Sequence, residues 1–374
     1  MDVYDKLDYL AEASQYDLAC SCGTAKDDRR KRDESGKWLY PVPLTRGGRG
    51  ILFKTLMTNS CVNDCLYCPF RSDGNVNRCS LTPDEVARSF LEINRQRSLL
   101  GMFLSSGVVG SPDNTMERLI ASAEILRKKH RYKGFIHLKL IPGASNAAIE
   151  TALHYSSAVS LNIEAPGEKH FRNLSHAKDF NRDIVEPLKL ISSLTGKGGP
   201  YSRVKCSTQF IVGASDETDS EIVKYMDGIY NRLRLERVYF SAYQQGLGDS
   251  RLPGEARFDL QPGDNLTREH RLYQVDFLLR KYSFDPKEIG YDGKGNLPLD
   301  CDPKEVWARQ HPEFFPVSLN RGDKEALLRV PALGPITVGR ILKYRKYHSL
   351  HFDDLEKLNL KGKNKNRAVQ WLCA

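Results

Sequence analysis

The sequence lacks the long apolar runs that a membrane protein needs. Nowhere in its 374 residues does a stretch approach the ~18 consecutive apolar residues of a transmembrane helix. The first twenty residues carry scattered acidic side chains and have neither a basic head nor an apolar core, so they do not look like a secretory or transit signal. We therefore expect a cytoplasmic protein without a membrane partner.

Histidine is absent before residue 130, although three closely spaced cysteines occur there. The stretch TNSCVNDCLYCPF contains a C-x3-C-x2-C arrangement at Cys61, Cys65 and Cys68. A structural zinc site needs a fourth ligand, usually a nearby Cys or His, and the next candidates are only Cys79 and His130. Three thiolates around one centre instead predict an iron–sulfur cluster with one iron left open for a small molecule, and zinc is the less favoured alternative.

The order of apolar and amphipathic segments predicts an α/β fold. Six apolar runs alternate with helix-forming segments that begin near residues 82, 114, 145, 180 and 217. The runs are ILFKTLM, GMFLSS, GFIHLKL, AVSLNIE, VKCSTQFIV and RVYFSAY. Strands in this order pair in parallel, either in an open doubly wound sheet or in an incomplete (β/α) barrel, which we favour. In both cases ligands bind at the carboxyl ends of the strands, and the cysteine triplet follows the first strand.

Positive charge is concentrated at the C-terminal end. The chain has a formal charge of +9, and residues 321–374 carry twelve Lys or Arg against five Asp or Glu. Basic side chains that neutralise phosphates release counterions, so this segment predicts a polyanion-binding module, with a solubilising tail as the alternative. The predicted domains are an N-terminal extension (1–50), the barrel (51–250), a helical and loop connector (251–320) and the basic module (321–374).

The cysteine motif, with Tyr67 directly before the third cysteine, resembles the radical S-adenosylmethionine (SAM) superfamily. The resemblance implies a partial (β/α)6 TIM-like barrel, a [4Fe-4S] cluster on Cys61, Cys65 and Cys68, and SAM chelated to the open iron. An electron donor such as flavodoxin or ferredoxin would reduce the cluster. Reductive cleavage of SAM would then give a 5′-deoxyadenosyl radical that abstracts a hydrogen atom from the substrate.

Candidate SAM-binding residues follow the other predicted strands. Residues 105–107 (SSG) stand where the superfamily has a Gly-Gly-Glu-like stretch. Asn162 and Glu164 share one face of the fourth strand, where unpaired polar side chains would be costly, so a ligand role is favoured over packing. The fifth strand, QFIVGASDE, resembles the superfamily's G-x-I-x-G-x-x-E pattern, with Asp216 for the Glu. The full set is Tyr67, Ser105, Ser106, Gly107, Lys139, Asn162, Glu164, Gln209, Gly213 and Tyr243.

The other cysteines have less specific interpretations. Cys79, Cys206 and Cys301 lie in or beside predicted elements, and most buried cysteines only fill space. One of the three could instead donate a hydrogen atom during the radical reaction. Cys20 and Cys22 form a C-x-C pair that could help bind a second cluster.

The segment EALLRVPALGPITVGRILKYRKY resembles a helix-hairpin-helix DNA-binding motif. A tight turn that opens a helix directs free backbone N–H groups at a phosphate, so it binds without reading the bases. Ala332 replaces the usual first glycine of the hairpin, and the following FDDLEKLNLKGKNKNRAVQWL looks like a second, degenerate half. A helical packing or protein-contact module is the alternative. The implied DNA contacts are Ala332, Leu333, Gly334, Thr337, Arg340 and Lys343.

The barrel and this small all-α domain together resemble the radical SAM proteins described as acting in DNA modification or DNA repair. Stretches such as FLSSGVVGSPDNTMERL and HPEFFPVSLNR carry that closer resemblance. It implies radical chemistry on a nucleic acid, with DNA favoured. Two alternatives are a radical SAM enzyme that acts on RNA or a free nucleotide, and a non-enzymatic nucleic-acid-binding protein with a structural metal site.

Overall fold

The computed structural model describes residues 2–14, 37–43, 48–256, 261 and 263–373, which group into two compact units. The first unit comprises Met1–Glu217 and Tyr225–Glu269, and the second comprises Thr218–Lys224 and His270–Ala374. Domain boundaries near residues 50, 250 and 320 remain a prediction. No helix among the described residues has the length and apolar character required to cross a membrane.

The first unit contains a curled, half-barrel sheet whose seven strands follow one another in sequence order. Its first strand pairs antiparallel with the second, and all later neighbours are parallel. All six predicted strands are confirmed, and the extra antiparallel strand lies in the segment predicted to be an N-terminal extension. The strands are β1 (Leu39–Pro43), β2 (Arg49–Leu56), β3 (Gly101–Ser105), β4 (Phe135–Lys139), β5 (Ala158–Ser160), β6 (Lys205–Val212) and β7 (Arg237–Ala242).

Helices cover the outside of this sheet because their apolar stripes face it. At the start of one helix, Thr82 Oγ1 accepts from Glu85 N (3.2 Å) and Glu85 Oε2 accepts from Thr82 N (2.7 Å), a capping box that fixes where the helix begins. Phe53 and Phe90, both fully buried, meet edge to face with ring centroids 5.7 Å apart. The helices of the first unit are α1 (Val3–Ala13), α2 (Pro83–Arg97), α3 (Pro112–Glu124), α4 (Asn146–Tyr155), α5 (Glu168–Arg172) and α6 (Glu186–Thr195). The helix α7 (Asp219–Gly228) is divided between the two units.

The second unit is a helical module with its own apolar core. Fourteen buried side chains between Val317 and Leu372 form this core, and a two-stranded parallel sheet pairs Val317 with Leu372. The helix at Pro303–Gln310 lies in the stretch predicted to be a helical and loop connector. The elements are α8 (Asp264–Lys281), α9 (Pro303–Gln310), β8 (Val317–Ser318), α10 (Lys324–Arg329), α11 (Pro335–Tyr344), α12 (Asp354–Lys357), α13 (Gly362–Val369) and β9 (Leu372–Cys373).

Candidate cluster and cofactor site

A cavity of about 160 Å³ lies at the carboxyl ends of the strands in the first unit. All three cysteines of the C-x3-C-x2-C motif line it, as do eight of the ten predicted SAM contacts. Parallel strands end at one edge of the sheet, which explains why residues far apart in sequence meet there. The eight are Tyr67, Ser105, Ser106, Gly107, Lys139, Asn162, Glu164 and Gln209.

The cysteine loop is held in place by one arginine. The guanidinium of Arg78 donates hydrogen bonds of 2.6 to 3.0 Å to four backbone carbonyl oxygens of the loop. Each of these carbonyls would otherwise need water or another donor, so Arg78 fixes the path of the loop around the cysteines. The acceptors are Asn59, Phe70, Arg71 and Gly74.

The residue after β3 fits against this loop because it has no side chain. A Cβ on Gly107 would lie 2.2 Å from the carbonyl oxygen of Ser60, a distance that no real contact allows. Gly107 N donates to Thr58 O at 2.7 Å, and Val62 N donates to Val108 O at 2.8 Å. Gly107 therefore has a packing role, whether or not it also contacts a cofactor.

The chemistry of the three thiols fits an iron–sulfur cluster. Burial raises the pKa of Cys65, and burial together with the neighbouring Cys65 raises the pKa of Cys68 to about 12. Such thiols become thiolates when a metal centre compensates their charge. The backbone N–H of Phe70 also points at Cys68 Sγ, 3.4 Å away, as a hydrogen-bond donor to a cluster sulfur would.

Within the described residues, no three His, Cys, Asp or Glu side chains are gathered closely enough to hold a single metal ion. In a four-iron cluster each cysteine binds a different iron, so its ligands line a pocket and need not meet at one point. This arrangement is compatible with a cluster at Cys61, Cys65 and Cys68.

Comparison with known proteins identifies this region. Residues 55–229 match the family described as the Radical SAM superfamily, a range that includes every residue lining the cavity except Ala13. The chain carries a radical SAM domain. This domain makes the protein an enzyme. Members of the Radical SAM superfamily generally use a [4Fe-4S] cluster and SAM.

Two solved structures are among those to which the chain is similar. Methylornithine synthase PylB shares 14% identity over 74% of this chain and 68% of its own, with a TM-score of 0.44. The FeFe-hydrogenase maturase HydG from Carboxydothermus hydrogenoformans shares 14% over 85% of this chain and 77% of its own, with a TM-score of 0.46. These likenesses are too remote to indicate a substrate. No curated protein matches the sequence.

Asn162 and Glu164 adjoin each other in the radical SAM domain, but not as neighbours on a strand. β5 ends at Ser160, so the predicted strand was too long. Glu164 adopts a left-handed backbone conformation (φ 64°), which costs of order 1 kcal/mol or more for a residue with a side chain. Its carboxylate accepts from Asn162 Nδ2 at 3.4 Å and from the buried Tyr67 hydroxyl. Burial, together with Glu164, raises the pKa of Tyr67 well above the usual value, so this hydroxyl keeps its proton.

A lysine that the sequence patterns did not single out completes this group. Lys178 lines the cavity and hydrogen-bonds to the Cys65 thiol. Although burial lowers the pKa of Lys178, the nearby Cys65 and Glu164 raise it by more, so its pKa lies above the ordinary value. A cation therefore lies against one of the predicted cluster ligands.

Asp64, inside the cysteine motif, holds the segment that carries Lys178. Its carboxylate accepts hydrogen bonds from Ser175 Oγ (2.5 Å), His176 N (2.8 Å) and Ala177 N (3.1 Å). These bonds lower the pKa of Asp64 although its burial opposes them. The sequence offered one signal for this contact, the presence of an aspartate between the predicted cluster cysteines. The residues that donate hydrogen bonds to it are distant in sequence, and no sequence pattern marked them.

The loop after β6 is closed by Glu217 and not by Asp216. Glu217 accepts from Gly213 N at 2.6 Å and from Ser215 N at 3.1 Å, and it is buried beside Arg268, 3.7 Å away. Asp216 is half-exposed and pairs with His170 at 2.9 Å. Glu217 is therefore the acidic residue that shapes this end of the strand.

Five other predicted residues are not brought to the cavity. The Tyr243 hydroxyl bonds to Glu255, and Gly213 faces Asn265, so neither lines it. None of the three candidate hydrogen donors lines the cavity either. On β6, Cys206 lies on the opposite face of the strand from Gln209 and Ile211, which do line it. Cys79 packs beside Thr58, and Cys301 belongs to the second unit. Cys20 and Cys22 lie outside the described residues.

In the second unit, α10 and α11 enclose the predicted hairpin. Ala332 has φ 65°, the left-handed conformation that favours glycine, which is why the motif usually has glycine there. Leu333 is buried, its carbonyl oxygen accepts from the buried Lys304 ammonium at 2.6 Å, and Gly334 caps the start of α11. Thr337 and the exposed Arg340 and Lys343 follow on that helix.

Proposed function

We propose that the radical SAM domain binds a [4Fe-4S] cluster through Cys61, Cys65 and Cys68 and SAM in the adjoining cavity, and that the enzyme acts on a nucleic acid, with DNA as the preferred substrate. One observation above all others supports the first part of this proposal, the binding of the cluster and SAM. The three cysteines share a single cavity with eight of the residues predicted from the sequence to contact SAM.

Different residues of the cavity suit different polar groups of SAM. The ammonium group of Lys139 suits a carboxylate, whereas Asn162 and Glu164 suit an amino group or ribose hydroxyls. The neutral Tyr67 supplies an aromatic wall. The bound cluster would supply the electron for reductive cleavage of SAM, and we propose a flavodoxin or ferredoxin as the electron donor.

Anaerobic reconstitution tests the cofactor half. The wild type should take up about four iron atoms per chain, show a broad brown absorbance, and form 5′-deoxyadenosine when given dithionite and SAM. Cys61→Ala, Cys65→Ala and Cys68→Ala should each lose these properties. Cys206→Ala is the matched control, because Cys206 is buried in the same sheet but does not line the cavity. Equal behaviour of all four variants and the wild type would refute the assignment.

The nucleic-acid half is supported by the second unit. Its last 54 residues carry most of the excess positive charge, and a hairpin there opens α11 with no acidic residue in the helix. Free N–H groups at a helix start, with basic side chains beyond them, suit the phosphates of a nucleic acid.

Competition binding distinguishes the substrate classes. Labelled duplex DNA should be displaced by unlabelled duplex DNA at lower concentration than by RNA duplex or free nucleotides, measured by fluorescence anisotropy at fixed salt. Preferential displacement by RNA or nucleotides would favour the alternative enzymatic substrate. The radical SAM domain already favours an enzyme over a non-enzymatic binding protein.

A further inference from the structure

The outer face of α11 exposes two large apolar side chains. Ile336 and Tyr347 are 73% and 78% exposed, more than any other large hydrophobic side chain among the described residues. Ile336, Arg340 and Lys343 are spaced i, i+4 and i+7, so they lie along one stripe of the helix. Tyr347 continues this stripe in the turn that follows, where its N–H bonds to Tyr344 O at 3.1 Å. We call these four residues the α11 face.

The opposite side of the helix accounts for its stability. Val338 and Ile341 are fully buried in the core of the second unit. Ile336 and Tyr347 are therefore not needed to hold the helix in place, whereas Arg340 Nη1 also donates to Leu358 O at 3.1 Å. The apolar side chains of the α11 face contribute nothing to the core that the structure describes.

The charges on and around the α11 face indicate which kind of partner it binds. No acidic residue occurs between Pro335 and Leu350, and no ion pair forms at Arg340 or Lys343 within the described part of the chain. By contrast, Lys357 and Lys365 in the same unit are each paired with carboxylates at 2.8 to 3.3 Å. Lysine is depleted at protein–protein interfaces, whereas cations beside aromatic and apolar side chains are typical of nucleic-acid surfaces.

We infer that the α11 face binds nucleic acid by two separate interactions. Arg340 and Lys343 contact phosphates, while Ile336 and Tyr347 pack against sugars and bases on either side. The face is about 16 Å long, which matches roughly five nucleotide steps along a strand. This inference rests on the proposed nucleic-acid substrate and adds an apolar contact to the phosphate contacts of the hairpin.

Salt dependence separates the two interactions. For duplex DNA, loss of one phosphate contact reduces the slope of log K against log salt by about 0.9, so Arg340→Ala and Lys343→Ala should each flatten the slope. Ile336→Ala and Tyr347→Ala should weaken binding about fivefold or more at every salt concentration and leave the slope unchanged. Lys357→Ala and Lys365→Ala are the matched controls, since their charges are already neutralised, and they should change neither quantity.

Circular dichroism of each variant shows whether the unit stays folded, and exposed side chains give no reason for it to unfold. If Ile336→Ala and Tyr347→Ala bind like the wild type while Arg340→Ala binds weakly, the inference is wrong and the proposed function stands. If Ile336→Ala instead abolishes self-association of the protein and leaves nucleic-acid binding intact, the face is a protein contact. A wild type that binds no nucleic acid would overturn both proposals.

Discussion

Replacing Lys178 with methionine should lower the reduction potential of the cluster. The ammonium of Lys178 hydrogen-bonds to Cys65 and lies near Cys61 and Glu164. Reduction adds a negative charge to the cluster, and a positive group that donates to one of its sulfurs stabilises the reduced form more than the oxidised form. Without that charge, reduction becomes less favourable.

The size of this effect follows from the strength of a charged hydrogen bond. Such a bond contributes about 1.5–3 kcal/mol. If half of it distinguishes the reduced from the oxidised cluster, the change is roughly 0.7–1.5 kcal/mol. For a one-electron couple, where a tenfold change in the equilibrium constant corresponds to about 59 mV, this predicts a shift of roughly 30–60 mV to lower potential.

A redox titration followed by electron paramagnetic resonance, without SAM, measures the shift directly. Lys178→Arg keeps the charge and should stay close to the wild type. Lys189→Met is the control, because Lys189 is exposed and pairs with Glu186 at 2.8 Å. An unchanged potential in Lys178→Met, together with weaker SAM binding, would refute the reasoning and assign Lys178 to the SAM carboxylate instead.

Three further predictions concern residues that support the two sites. Arg78→Met should accelerate amide hydrogen exchange across residues 59–74 and reduce the iron content after reconstitution. Amide protection equal to that of the wild type would contradict the role of Arg78 in holding the cysteine loop. Glu217→Ala leaves Arg268 buried without its carboxylate and should lower the free energy of unfolding in urea by about 3–5 kcal/mol, so a loss under 1 kcal/mol would count against it. Burial lowers the pKa of Lys304 to about 7, against about 10.4 when unfolded. Between these two pKa values the unfolded chain binds more protons than the folded chain. The free energy of unfolding of the wild type should therefore rise from pH 7 towards pH 10, by at most about 1.4 kcal/mol per pH unit, and this rise should be absent in Lys304→Met.

The parallel strands could be predicted because they are nearly continuous apolar runs, as strands covered on both faces must be. β1 escaped prediction because LYPVP contains two prolines, which lack the N–H that a central strand requires. The structure resolves this conflict by placing β1 at the edge of the sheet, where proline is tolerated. The end of β5 was predicted too late because nothing in the letters of SLNIE reveals the left-handed backbone at Glu164.

Six of the eight predicted cavity residues lie at or just after the end of a parallel strand, whereas Tyr67 belongs to the cysteine loop and Gln209 lies inside β6. Sheet topology brings strand-end positions together, and the resemblance to the superfamily indicated which residues at those positions to name. The positions of Lys178 and Arg78 depend instead on contacts between loops. The hydrogen bond from Ser175 to Asp64 joins residues 111 positions apart, and no local periodicity encodes such a pair.

The cysteine loop is positioned by protein contacts that do not involve a cluster. Arg78 holds it by four carbonyls, the strand end at Gly107 packs against its backbone, and Asp64 ties it to the segment before α6. A small zinc domain differs, because there the metal supplies the folding energy itself. The buried core of the first unit includes Phe53, Phe90 and many other side chains remote from the cysteines. We therefore expect loss of the cluster and loss of the fold to be separate events in this domain. A Cys61→Ala variant that loses iron while keeping its unfolding transition would then report on ligation alone.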